Sequence, residues 1–242
     1  LEGLSYVMLR ATMLVMWFAP VAVFAAVSAA IAKSGLGVLK TYGVFMGEFY
    51  FGILLLWVLL FFAAYAVVGK RAVALFKAVR EPTLLAFATA SSEAAYPKTL
   101  AQLEKFGCSN RVASFVLPLG YSFNLDGSMM YCTFAVMFIA QVYGIELSAG
   151  QQITMLLILM VTSKGMAGVP RASLVVIAAT LSQFNIPEAG LLLLLGVDHF
   201  LDMARSATNV IGNSVATAAV SAWDGQLRTE DEVNADLKQA AG

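Results

Sequence analysis

Charge is scarce in this chain. Only 12% of its 242 residues are Asp, Glu, Lys or Arg, about half the share of a soluble domain. The 15 acidic and 15 basic residues cancel, so the chain carries no basic footprint for nucleic acid. Cysteine is almost missing. Cys108 and Cys132 make neither a metal-ligand spacing nor a disulfide framework, and in apolar surroundings each reads as a small hydrophobe. The single histidine, His199, reads as a packing residue. No basic segment with a short apolar core and cleavage site opens the chain. It begins LEGLSY, without Met, and reads as a piece of a longer protein.

What is abundant is apolar sequence. Hydrophobic residues make up 60% and the mean hydropathy is +0.80, which points to a membrane protein. A spanning helix needs about 20 apolar residues. Residues 11–32 qualify, between Arg10 and Lys33, and so do residues 49–69, between Glu48 and Lys70. Residues 82–92 form only a half-length apolar arm ending in the polar tip Ser91–Ser92–Glu93, so residues 72–106 read as a re-entrant hairpin. Residues 111–145 span, with an interruption. Residues 147–187 form two short apolar arms around SKGMAGVPR, a second re-entrant hairpin. Residues 189–223 span again. Residues 224–242 form a polar, cytoplasmic, mobile tail.

Lys70, Arg71, Lys77 and Arg80, then Lys98, Lys105 and Arg111, put the first hairpin's entry in the cytoplasm. The loops at Glu146 and Glu188 lack Lys and Arg, so the second hairpin enters from outside. Lys33 and Lys40 go against this assignment. Hairpin plus span therefore occurs twice with opposite orientation. Inverted repeats with broken segments mark secondary transporters.

Two stretches carry chemistry. In GYSFNLDGS, Asn124, Asp126 and Gly127 sit inside an apolar run. Gly and Asn favour irregular backbone, and a helix broken there exposes carbonyl oxygens to a cation or a cavity. Asp126 adds a hard oxygen or a proton carrier. In GVDHFLDMARSATNVIGN, Asp198, Asp202, Arg205, Ser206, Asn209 and Asn213 share a helical face roughly 100° wide, which cannot look at lipid. Arg205 suits a carboxylate and Asp202 an ammonium, a pairing that fits an acidic amino acid. An internal Asp–Arg pair locking helices is the alternative. Ser91 and Ser92 offer hydroxyls, and Gly168 and Pro170 suit a gate hinge.

SSEAAYP, GYSFNLDGS, TSKGMAGVP and GVDHFLDMARSATNVIGN, in this order, resemble the dicarboxylate/amino acid:cation symporters, bacterial relatives of excitatory glutamate transporters. The likeness runs from about residue 5 to residue 223. It implies an all-α membrane protein with a glutamate-transporter-like elevator fold, two re-entrant hairpins and inverted repeats. It further implies a multi-pass protein of the bacterial inner membrane, a homotrimer at full length, and a chain lacking the N-terminal spans. Residues 1–70 would be a scaffold or connecting part of two helices, and 71–223 the transport core. The resemblance gives Arg205 the substrate's side-chain carboxylate, Asp202 its amino group and Asn209 its α-carboxylate, with Ser206 and Ser128 nearby. Ser91, Ser92, Gly168 and Val169 form the tips. Asn124, Asp126 and Asp198 match residues in or near cation sites, and sodium would fall at Asn124, Asp126 and Asn209. No enzymatic activity and no cofactor are implied, only a coupling ion.

Three departures bear on substrate and ion. Asn213 stands where sodium-coupled members carry an aspartate, as in proton-coupled glutamate members. Ala90 and Met203 omit a second arginine that many members hold. Arg171 replaces an expected glycine, either to attract an anion or to pair with Glu93. The expectation is uptake of glutamate or aspartate with protons and/or sodium, with C4-dicarboxylates (succinate, fumarate, malate) as the alternative and Glu93, Asp126 and Asp198 as proton-carrier candidates. A substrate-independent pore and an intramembrane aspartyl protease are the other readings. The second lacks its GxGD-type motif.

Overall fold

In the computed structural model of the chain, residues 35–164 and 166–229 are described, with residues 21, 24, 25, 28, 31, 32, 232 and 233. Most of the expected span 11–32 lies outside them. Among the described residues there is no strand, only an isolated bridge between Cys108 and Leu227.

The helix expected at 49–69 starts earlier. α1 runs Gly37–Val68 and carries Lys40 and Glu48 along its length. Its 32 residues extend roughly 48 Å at 1.5 Å per residue. It contains no proline and ends at Gly69, whose φ is +60°. One face holds Tyr42, Phe45, Phe49 and Ile53 in the core, while Phe51, Leu55, Leu59 and Phe62 are exposed. So broad an unpartnered apolar face is the mark of a membrane or subunit contact.

Two helical hairpins follow. The first pairs α2, Ala72–Thr89, with α3, Tyr96–Phe106. Its first arm is longer than the apolar run, because Pro82 lies inside the helix and the charged turn before it is helical as well. α2 stops at Ala90, in the left-handed region. Pro97 in the first turn of α3 costs no hydrogen bond there. α4, Asn110–Phe123, is capped by Ser109. The chain then breaks at Asn124 and Leu125, and α5 resumes over Asp126–Val142. The second hairpin pairs α6, Ala149–Thr162, with α7, Ser173–Gln183. Ser148 and Gln151 form a reciprocal cap at the start of α6, satisfying donors the helix cannot.

The expected single span 189–223 is not continuous. α8, Leu191–Leu194, is separated by a turn at 195–197 from α9, Asp198–Trp223. The restart puts Asp198 in a first turn, where a negative charge meets the positive end of the helix dipole. Hairpin followed by broken helix thus occurs twice. α9 is the axis of the molecule, packed against α1, α2, α3, α4 and α5. α1 is tied to it by Trp57 Nε1, which donates to Thr208 Oγ1 at 2.8 Å, and by Tyr50 Oη, which donates to the Phe200 carbonyl at 2.7 Å.

The tail, expected to be mobile, is fastened over its first residues. Ser109 N donates to Gln226 O at 3.3 Å and Arg228 N to Gly107 O at 2.9 Å. The Arg71 guanidinium donates to the carbonyls of Arg228 and Phe106, both at 2.8 Å, and stacks on the Phe106 ring. Cys108 lies buried beneath this strap, and burial raises its thiol pKa. Both cysteines are buried and unbonded.

A Cβ on Gly120 of α4 would collide with the Asn213 amide, whereas one on Gly43 of α1 would meet nothing within 4 Å. Overpacking costs about 1–3 kcal/mol, more than the ~1 kcal/mol that Ala gains over Gly in a helix. Gly120→Ala should therefore lower the melting temperature in detergent, and Gly43→Ala should hold or raise it. A neutral Gly120→Ala would show that α4 and α9 do not pack this closely.

Candidate functional site

The polar stripe of α9 is buried. Asp198, Asp202, Arg205, Ser206 and Asn209 are fully enclosed, Asn213 is 1% exposed, and Arg205 is among the largest wholly buried side chains. A buried charge needs a counter-charge and filled hydrogen bonds. Arg205 has both. Its Nε pairs with Asp202 one turn away. One terminal nitrogen donates to Ser128 Oγ at 3.1 Å, and the other to the Val169 carbonyl at 3.2 Å and Ser206 Oγ at 3.1 Å. One guanidinium therefore links α9, α5 and the tip of the second hairpin. Asn209 completes the α5 side. Its Oδ1 accepts from the amides of Gly127 and Ser128, at 3.0 and 3.3 Å, and its Nδ2 donates to Ser128 Oγ at 2.9 Å. These are first-turn amides that a helix leaves without internal partners.

The two hairpin tips meet over this stripe. Ser91 Oγ donates to the Gly168 carbonyl at 3.0 Å, and the Gly168 amide donates to Glu93 Oε1 at 2.8 Å. Tyr121 Oη donates to the Ser92 carbonyl at 3.0 Å. Ser92 Oγ is buried with no partner among the described residues. Arg171 does not pair with Glu93, which is engaged by Gly168. Its amide donates to Asp202 Oδ2 at 2.8 Å and its Nε lies 3.4 Å from Asp198 Oδ2. The other oxygen of Asp198 accepts from the Tyr131 hydroxyl.

A second group gathers further along α9. Asn124 Nδ2 donates to Asn213 Oδ1 at 3.3 Å. Asp126 lies so close to Gly212 that any side chain there would collide with its carboxylate. Lys164 donates to the Phe123 carbonyl, at the end of α4. Of the three residues expected to hold sodium, Asn124 and Asp126 are here. The Asn209 oxygen is turned to the α5 amides instead. Asp198 is not in this group, since Gly212 lies roughly 21 Å beyond it along α9. Glu93 belongs with the tips. Among the described residues no cluster of three or more His, Cys, Asp or Glu could hold a metal ion, so a hard cation here would have the single Asp126 carboxylate and would otherwise rely on amides and backbone carbonyls.

Sequence reading missed Tyr131, Tyr121, Trp57 and Lys164. Lys164 could have been suspected from its place in the second tip motif. The aromatic residues carried no local signal, because their partners are 29 to 151 positions away. A groove of about 810 Å³ between α1 and α5, lined by Tyr42, Phe45 and Phe138, shares no residue with either group.

Residues 1–223 match the sodium:dicarboxylate symporter family. The chain belongs to that family. It is 42% identical over 226 residues to the proton/sodium-glutamate symport protein of Bacillus subtilis, covering 93% of this chain and 53% of that protein. It is 42% identical to the proton/glutamate-aspartate symporter of Escherichia coli, covering 92% and 51%. It is 41% identical to a C4-dicarboxylate transport protein of Rhizobium johnstonii, covering 95% and 52%. The chain spans about half the length of the curated relatives it matches. The helices and the absence of strands among the described residues, two helical stretches there that are apolar and long enough to cross a bilayer, and this symporter family together make it a membrane protein of the transporter class.

Tyr131→Phe in this family member would leave one oxygen of buried Asp198 without its donor. A hydrogen bond to a charged group contributes about 1.5–3 kcal/mol. The expected result is a loss of that size in chemical unfolding in detergent, with helical content unchanged. No loss would mean that Asp198 does not depend on the Tyr131 hydroxyl.

Proposed function

We propose that the protein is a secondary active symporter that takes up acidic amino acids, L-glutamate or L-aspartate, with protons and/or sodium. The observation that carries this is the buried Asp202–Arg205 pair, held beneath two hairpin tips that touch each other. A ligand bearing both an ammonium and a carboxylate can insert into such a pair and satisfy both halves. In this reading Arg205 takes the side-chain carboxylate, with Ser128 and Ser206 steering the guanidinium. Asp202 takes the ammonium. Asn209 and the tip residues Ser91, Ser92, Gly168 and Val169 take the α-carboxylate. The unpaired Ser92 hydroxyl supports a ligand there. The two relatives named for glutamate support the substrate class.

The coupling ion acts at the break of α4 and α5, where Asn124, Asp126 and Asn213 converge. Asn213 removes a negative charge from that group, which favours protons over sodium. Asp126, Asp198 and Glu93 remain the proton-carrier candidates. The hairpins are re-entrant and enter from opposite faces, and 71–223 is the transport core, moving as an elevator against a scaffold that includes residues 1–70. Residues 224–242 are the cytoplasmic tail, and the setting is a multi-pass protein, trimeric, in a bacterial inner membrane.

A C4-dicarboxylate substrate is the second reading. It is favoured by the Arg171 amide, which already occupies one oxygen of Asp202 as an ammonium would, and by the relative named for that activity.

The deciding experiment is uptake of labelled L-aspartate by protein expressed from the complete reading frame, in proteoliposomes with an inward proton gradient and no sodium. Uptake that a protonophore collapses and that succinate inhibits only in large excess is expected. Succinate as potent as unlabelled aspartate would move the protein to the dicarboxylate reading. Asp202→Ala should weaken aspartate about 100-fold while succinate inhibition changes far less. Equal losses would end the amino-group role. Asn213→Asp should make uptake rise with sodium, and insensitivity to sodium would remove Asn213 from ion coupling.

A further inference from the structure

Arg171 is the residue that neither the resemblance nor the proposed transport cycle absorbs. Its backbone sits at φ +65°, in the left-handed region that suits glycine and costs an arginine about 1 kcal/mol or more. Two contacts hold it there. Its amide is on Asp202 Oδ2 at 2.8 Å, and its guanidinium is on Asp198 Oδ2 at 3.4 Å. That oxygen of Asp198 is buried and accepts no hydrogen bond, so the ion pair with Arg171 is the contact it has among the described residues. Asp198 and Asp202 are one turn apart on α9, so a single tip residue faces both carboxylates.

The charges decide what this does. Asp198 and Asp202 against Arg205 alone leave one negative charge next to the proposed ligand position. An amine-free dicarboxylate would then meet both that charge and an Asp202 with no ammonium to pair. Arg171 brings the four groups to neutrality and caps Asp202 with an N–H. We infer that Arg171 is a specificity-determining residue that lets the site accept C4-dicarboxylates, as weaker ligands, alongside acidic amino acids. This rests on the transport reading above. A C4-dicarboxylate carries two negative charges and an acidic amino acid a net one, so loss of the cation weakens the dicarboxylate more. The Arg171 side chain is 40% exposed, so solvent reduces the Coulomb effect. A difference of about tenfold between the two ligand classes is expected.

The test compares Arg171→Gly and Arg171→Lys with wild type, in proteoliposomes made from the complete reading frame. It reads the KM for aspartate and the inhibition constant of succinate in the same preparation. Glycine suits the left-handed backbone, so Arg171→Gly should fold. The expected result is that Arg171→Gly weakens succinate about tenfold more than aspartate and that Arg171→Lys restores most of the ratio. A purely structural role would weaken both ligands equally, and that outcome overturns the inference. So does a wild type that transports aspartate and shows no measurable succinate inhibition, which would leave the transport reading intact. Absence of aspartate uptake in wild type would remove the transport reading itself.

Discussion

The Arg205–Asp202 pair is the constraint on which the rest of the molecule depends. A guanidinium with no solvent exposure cannot be held by one carboxylate alone, because its other donors would be left dry. Those donors reach Ser128 on α5, Ser206 on α9 and the Val169 carbonyl in the second tip. Satisfying one side chain therefore fixes three elements relative to each other. It also explains why α9 lies at the centre, packed on five other helices, since no peripheral helix could bury a charged face.

Close backbone approach is the second requirement. α4 and α5 reach α9 where small residues remove the barrier. Gly120 faces the Asn213 amide, and Gly212 faces the Asp126 carboxylate. The break between α4 and α5 follows from the same geometry. It turns the first amides of α5 toward Asn209 Oδ1, converting two unpaired helix-end donors into a contact with the central helix. α1 serves as a brace, with Trp57 and Tyr50 donating across to α9 and its opposite face left apolar.

Much of this was readable in the chain. The polar face of α9 followed from helical spacing, and its burial from the cost of charge in lipid. The break at Asn124–Leu125 followed from an Asn, an Asp and a Gly inside an apolar run. The turn at 195–197 was not readable, because Leu195, Gly196 and Val197 continue an apolar stretch with no breaker strong enough to stand out. Nor did the apolar run at 82–92 show the full length of α2, whose first half carries Lys77 and Arg80. The strap of residues 226–229 over Gly107 and Ser109 was hidden for another reason. It is made almost wholly of backbone hydrogen bonds and the Arg71 guanidinium, and backbone bonding leaves no trace in side-chain identity.

Local spacing settled which residues of α9 share a face and that Asp202 and Arg205 lie one turn apart. Those are properties of a single helix with a fixed period. Which group meets which across the molecule was decided only by the fold. Arg171 could have paired with Glu93 or Asp198 on charge alone. The tip geometry gives Glu93 to the Gly168 amide and leaves Arg171 to Asp198 and Asp202. Asp198 and Asp126 could both have served one cation, but the length of α9 separates them. Charge type and period are written residue by residue, whereas partner choice depends on distances set by every packed element at once.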